Sequence, residues 1–143
     1  MEIPGILANQ DEGVCSQLRK FGNDIGIGFQ IQDDVLEIFS GVEEMGKSLG
    51  SDVIANKQTA LTLMARKLVP QDWNKFCNGQ GSQTIDEKLS GLRTFFEDTG
   101  VYAETMAMAD KYFKDSVNAL AIVPNPGRED LLAYTNFIKN REY

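Results

Sequence analysis

Between Gly28 and Glu37 the chain reads GFQIQDDVLE, a run that brings three carboxylates, Asp33, Asp34 and Glu37, close together in sequence. Asp33 and Glu37 are four apart, the spacing that stacks two side chains one turn above the other on a helix. On a wheel advancing about 100° per residue from Phe29, the residues Ile25, Gln32, Leu36, Phe21 and Leu18 gather on one side. Gln30, Asp33 and Glu37 form the neighbouring stripe, with Asp34 just beyond, and Gly22 and Gly26 fall on that stripe earlier in the helix. Like charges at this spacing cost a helix a few tenths of a kcal/mol, and each glycine costs about 1 kcal/mol relative to alanine. Carboxylates at one end of a stripe and missing side chains at the other describe the wall of a cavity. Such a wall suits a hard divalent cation, above all magnesium, which takes oxygen ligands, keeps several waters and is commonly shared with substrate phosphates. A solvated acidic face and glycines that merely permit close helix packing are the alternative reading of the same residues. The adjacent apolar side argues for partial burial.

The next stretch, GVEEMGKS from Gly41 to Ser48, fits the phosphate-cradling pattern G-x-x-x-x-G-K-[ST] letter for letter. The mechanism behind that pattern needs a strand before the loop and a helix opening at its Gly-Lys end. Here the preceding segment is helical in pattern, Glu43 and Glu44 would sit inside a loop meant for polyanions, and Gly50 interrupts the helix that should follow. No Val/Ile-rich strand ending in Asp is available to hold the metal. The match is a coincidence of letters. What the segment does supply is Lys47, which with Lys57 in the following Asn56-Lys57-Gln58-Thr59 brackets a glycine-punctuated turn after the acidic stripe. Two ammonium groups beside metal-linking carboxylates make a diphosphate clamp, the lysines acting as point charges.

Around this stretch the sequence predicts helices and almost no strand. Val14, Leu18, Phe21, Ile25, Phe29, Leu36 and Phe39 recur at helical spacing from Asp11 to Ser40. A second helix fits Gln58 to Leu68, and Pro70 suits the first turn of a short third one through Trp73 and Phe76. Asn78 to Ser82 reads as a loop. A helix from Ile85 to Asp98 ends at Gly100, a left-handed cap. The next runs through Tyr102, Met106, Ala109, Phe113, Val117 and Leu120, and is broken at Pro124-Asn125-Pro126-Gly127. A last helix covers Glu129 to Lys139. The fold class is all-α, with no internal repeat and no linker long enough to divide the chain into two domains.

Composition narrows the chemistry further. The 143 residues contain no histidine, which removes Ser-His-Asp triads, Cys-His nucleophiles and His-ligated zinc or iron together. With 21 acidic residues against 14 basic the formal net charge is −7, a poor basis for binding nucleic acid. Any anion this chain handles calls for a bridging cation. No apolar run has the length of a membrane span, and the first residues lack a signal-peptide layout. Cys15 and Cys77 are too few for a disulfide framework. A cytoplasmic location with reduced, structural cysteines is the expectation.

Taken together, Gly28-Phe29-Gln30-Ile31-Gln32-Asp33-Asp34-Val35-Leu36-Glu37, followed by Gly46-Lys47, Gly50, Asp52, Lys57 and Thr59, resembles the second aspartate-rich region of the trans-isoprenyl diphosphate synthases. That family includes the farnesyl and geranylgeranyl diphosphate synthases. Asp98-Thr99-Gly100-Val101 and Asn140-Arg141 resemble its C-terminal portion more loosely. The resemblance implies a helical bundle of the isoprenoid (terpenoid) synthase type, of which residues 1–143 would be a single C-terminal portion: the aspartate-rich region at 22–59 and the C-terminal helices at 60–143. It implies a homodimer and head-to-tail 1′-4 condensation of isopentenyl diphosphate with an allylic diphosphate, with Mg2+ as cofactor. By the same resemblance Asp33 is the main magnesium ligand, Asp34 and Glu37 complete or support the metal shell, Lys47 and Lys57 hold the leaving diphosphate, and Gln30 lies near the reacting carbon. Asp52 and Thr59 brace the loop, and diphosphate itself takes the proton, which dispenses with histidine.

Two departures qualify the resemblance. Glu37 stands where the family usually has Asp. The first aspartate-rich motif and the residues that bind isopentenyl diphosphate are not found, so the chain is expected to be inactive alone. A class I terpene cyclase would need N-D-x-x-S-x-x-x-E starting at Asn23-Asp24, but Ile27 and Ile31 occupy the serine and glutamate positions. A non-catalytic or regulatory subunit of a prenyl synthase is the other alternative; the charged set Asp33, Lys47 and Lys57 speaks against it. Product length is not encoded in these residues.

Overall fold

Helix α1 spans Glu12–Phe39 and carries every carboxylate of the predicted site. Asp11 starts it: its Oδ1 accepts from the Val14 N–H at 2.9 Å, and Glu12 adds a negative charge where the helix dipole favours one. The computed structural model to which this helix belongs describes residues 6, 9–39, 58–79 and 84–140. After α1 come α2 (Ala60–Leu68), α3 (Pro70–Gly79), α4 (Ile85–Asp98) and α5 (Val101–Ala119), then a 3-10 turn at Leu120–Ile122 and α6 (Gly127–Lys139). Among the described residues there is no strand, and no helix is long and apolar enough to cross a membrane.

The chain divides into two compact units, the first formed by α1 up to Gln30 with α5 from Met108, the 3-10 turn and α6. Its core includes Leu18, Phe21, Ile25, Phe113, Leu120 and Ile138. At Gly28, α1 and α5 approach each other closely. A Cβ there would stand 3.3 Å from two ring atoms of Phe113 and 3.4 Å from the Ala109 carbonyl oxygen. On this unit's surface, Lys20 pairs with the buried Asp24, Lys111 pairs with Asp115 at 2.7 Å, and Lys139 of α6 reaches Asp110 of α5 at 2.8 Å. The hydrogen bond to Asp115 raises the pKa of Lys111 above the usual lysine range, and the same bond lowers that of Asp115.

The second unit consists of the rest of α1, α2, α3, α4 and the start of α5. Val35 and Ile38 of α1 join Leu61 and Ala65 of α2, Trp73 of α3 and Phe96 of α4 in one buried cluster. Trp73 stacks on Phe96 with centroids 5.8 Å apart, and Phe76 meets Phe95 at 4.7 Å. Helix α4 begins with a reciprocal capping box: Glu87 accepts from the Thr84 N–H at 2.8 Å while the Thr84 hydroxyl accepts from the Glu87 N–H at 3.3 Å. The two contacts from Thr84 hold the Glu87 carboxyl below the usual carboxylate range. Gly100, with φ of +74°, ends α4 as predicted.

Four expectations need correction. Helix α2 begins at Ala60, not Gln58, because Thr59 leaves the helix to cap it. Helix α3 continues through Asn78 and Gly79, expected in a loop, so it runs one turn beyond the stacked rings of Trp73 and Phe76. Helix α6 opens at Gly127, two residues before Glu129, with the Glu129 N–H bonded to the Pro126 carbonyl. Finally, Phe29, Leu36 and Phe39 are only half-buried, whereas Ile31, Val35 and Ile38 enter the core. The two halves of α1 lie in different units, so the buried face turns along the helix and no single wheel origin captures both.

Candidate functional site

The candidate residues sit on the C-terminal half of α1. Asp33, Asp34 and Glu37 are half-buried and Gln30 is exposed. Their neighbours Gln32, Val35 and Ile38 are buried, so the helix is held in place by one side while the acidic stripe stays partly open to solvent. Asp33 and Glu37 are one turn apart, about 5–6 Å between Cβ atoms. On the same stripe Gly26 is exposed, with nothing within 4 Å of where a Cβ would stand, and Gly22 is half-buried. Among the described residues no three carboxylates or thiols converge into a complete metal site. The donor set is nevertheless of the right kind for magnesium: hard carboxylate oxygens, partly shielded from solvent.

Asp34 is engaged elsewhere. Its Oδ2 accepts from the Ala60 N–H at 2.7 Å, the first amide of α2. Thr59, which is 1% exposed, accepts from the Thr62 N–H at 3.3 Å, and the Thr62 hydroxyl accepts from the Thr59 N–H at 2.9 Å. Thr59 thus caps the start of α2, while the loop it was expected to brace lies outside the described residues. At the other end of the intervening stretch, Arg93 of α4 donates through Nε to the Ile38 carbonyl, one of the acceptors left over at the end of α1. Sequence reasoning missed Arg93 entirely. A signal existed: α1 has no basic residue in its last turn and α2 no acidic residue in its first, so both ends lacked a charge matching the helix dipole. The buried Asp24 was also missed, although Lys20 four residues earlier marks it as a paired group.

Lys47, Lys57, Asp52 and the whole Gly41–Ser48 match lie outside the described residues, and so does Arg141. What can be said of that match is what precedes it, which is a helix ending at Phe39. A phosphate loop of the P-loop kind needs a strand there.

A profile of the family described as polyprenyl synthetase matches residues 1–93, which includes all of α1 and both lysines. The chain belongs to the polyprenyl synthetase family. It is 33% identical over 143 residues to a geranylfarnesyl diphosphate synthase of Natronomonas pharaonis, covering 99% of this chain and 40% of that protein. A geranylgeranyl diphosphate synthase of Methanosarcina mazei is 30% identical over 145 residues, with 99% and 43% covered. Among solved structures, a geranylgeranyl pyrophosphate synthetase of Pyrococcus horikoshii superposes with a TM-score of 0.85 at 25% identity, covering 99% of this chain and 43% of that one. The fold of this polyprenyl synthetase family member is therefore the all-α isoprenoid synthase type, and the chain spans less than half the length of the relatives it matches.

Proposed function

We propose that this chain forms the second carboxylate region and C-terminal helices of a prenyltransferase that joins isopentenyl diphosphate to an allylic diphosphate, making a longer polyprenyl diphosphate. The observation that carries the reading is the half-buried acidic stripe of α1, held by a packed face and followed in sequence by Lys47 and Lys57, in a member of the polyprenyl synthetase family. In this reading residues 22–59 supply the charged groups and residues 60–143 the helical support. The donors proposed for Mg2+ are Asp33 and Glu37, with Asp34 as the third carboxylate of the group. Bound there, magnesium supplies positive charge that stabilises the negative charge developing on a departing diphosphate.

The roles of the chain's own groups follow from charge and position. Asp33 and Glu37 bring negative oxygens one turn apart to the same side of α1. Lys47 and Lys57 contribute fixed positive charge to the diphosphate oxygens as the C1–O bond of the allylic substrate breaks and the electron pair leaves with the diphosphate. Gln30, one turn before Asp33, presents an uncharged polar group near the electron-poor carbon. The isopentenyl double bond supplies the electron pair for the new carbon–carbon bond, and the proton then lost passes to diphosphate. A homodimer and a cytoplasmic site of action belong to the same proposal.

Calorimetry of inorganic diphosphate with and without magnesium tests the reading on the intact protein. Binding is expected only with magnesium and is expected to be lost in Asp33→Ala with the helical content unchanged. Diphosphate binding of equal strength without the metal, or in the variant, overturns it.

A further inference from the structure

The two ends of the chain between α1 and α2 are each tied to a charged side chain from another element. The end of α1 is held through the Ile38 carbonyl by Arg93, and the start of α2 is held through the Ala60 N–H by Asp34 at 2.7 Å. Both ties supply what the helices lack. A carboxylate at a helix N-terminus and a guanidinium at a helix C-terminus are the favourable charges for the dipole, and neither helix carries its own. Thr59 and Thr62 already satisfy each other in the capping box, so the first amide of α2 is left to Asp34.

From this we propose that Asp34 is a positioning residue. Its carboxylate fixes the N-terminus of α2 against α1 beside Asp33, and its service to the diphosphate site is architectural and not that of a principal metal ligand. This rests on the proposed function and refines it at one residue. In sequence, Lys57 is joined to Ala60 through only Gln58 and Thr59. Adjacent acids on α1 then divide the work: Asp33 faces the stripe shared with Glu37, and Asp34, one residue further round, faces α2. A helix turns about 100° per residue, so two neighbouring side chains serve two different surfaces.

The test compares Asp34→Ala, Asp34→Asn and Asp33→Asn by NMR amide exchange and by diphosphate calorimetry with magnesium. An asparagine oxygen still accepts from the Ala60 N–H but is a poor magnesium ligand. Asp34→Ala is expected to lower the protection of the Ala60 amide on the order of ten- to a hundredfold, the scale of a lost hydrogen bond to a charged group. Asp34→Asn is expected to restore most of that protection and to bind magnesium-diphosphate within about threefold of the unaltered chain, whereas Asp33→Asn loses binding with Ala60 protection intact. Ala60 protection unchanged in Asp34→Ala overturns the proposal. So does Asp34→Asn losing magnesium-diphosphate binding as fully as Asp33→Asn while the amide stays protected. If the unaltered chain binds no magnesium-diphosphate, the prenyltransferase reading fails, but the exchange at Ala60 still decides whether Asp34 holds α2. Should Asp34→Ala fail to fold, Asp34→Asn with its amide protected and its fold intact supports the tie; the same variant with Ala60 unprotected refutes it.

Discussion

Gly26 and Gly28 lie two residues apart on α1 and face opposite situations, so replacing each with alanine separates packing from helix propensity. Both gain the same intrinsic term, about 1 kcal/mol in favour of the helix. At Gly26 a Cβ meets nothing within 4 Å, so Gly26→Ala is expected to raise stability by about 0.5–1 kcal/mol. At Gly28 the added carbon lies 3.3 Å from the Phe113 ring and 3.4 Å from the Ala109 carbonyl oxygen. Phe113 is 3% exposed and Ala109 contributes backbone, so neither can swing aside cheaply. Overpacking of this kind costs about 1–3 kcal/mol. Set against the propensity gain, Gly28→Ala should be destabilised by between about zero and 2 kcal/mol. The difference between the two variants, about 1–3 kcal/mol, is the cleaner quantity because propensity cancels. Urea unfolding followed by circular dichroism reads it as opposite movements of the midpoint at constant slope. Two midpoints that move together, in either direction, refute the close approach of α1 and α5 at Gly28.

The remaining predictions concern the second unit. Phe96→Ala removes a fully buried ring stacked on Trp73 and is expected to cost about 3–5 kcal/mol, read as a lowered unfolding midpoint; a loss below about 1 kcal/mol means the aromatic cluster is not what holds α3 to α4. Glu87 has its carboxyl held below the usual range by the Thr84 amide and hydroxyl, so its stabilising share is complete above the unfolded value of about 4.3 and is lost as the pH falls through the lower folded value. Melting temperature is therefore expected to drop more between pH 7 and pH 3 in the unaltered chain than in Glu87→Gln, and parallel profiles contradict the capping box as the source.

How far the sequence could be read depended on the distance over which each feature is decided. The extent of α4 and its Gly100 cap are local matters of apolar period and of one residue with positive φ, and both were legible. The capping box of Thr59 and Thr62 is equally local, three residues apart, but the sequence reading used Thr59 only through the resemblance and placed the start of α2 at Gln58. The Asp34 tie joins residues 26 apart and the Arg93 tie residues 55 apart, and no helical wheel contains such pairs. The wheel also misjudged which apolar residues of α1 fill the core. It fixed one origin at Phe29, while the helix buries Phe21 and Ile25 in one unit and Val35 and Ile38 in the other.

The last turns of α1 also show why local misfit points toward a site. Asp33 and Glu37 repel each other at four-residue spacing, and acids near a helix C-terminus oppose its dipole; each effect costs a few tenths to about 1 kcal/mol. Val35 and Ile38, 3% and 0% exposed, contribute about 1.5–3 kcal/mol apiece by burial, which is enough to hold the helix despite those costs. Arg93 at the Ile38 carbonyl offsets part of the remainder. By charge spacing and helix dipole alone, a neutral or basic residue at 33 or 37 would cost less than the acids that are present. A local misfit of this kind is what the proposed cation site at the stripe would account for.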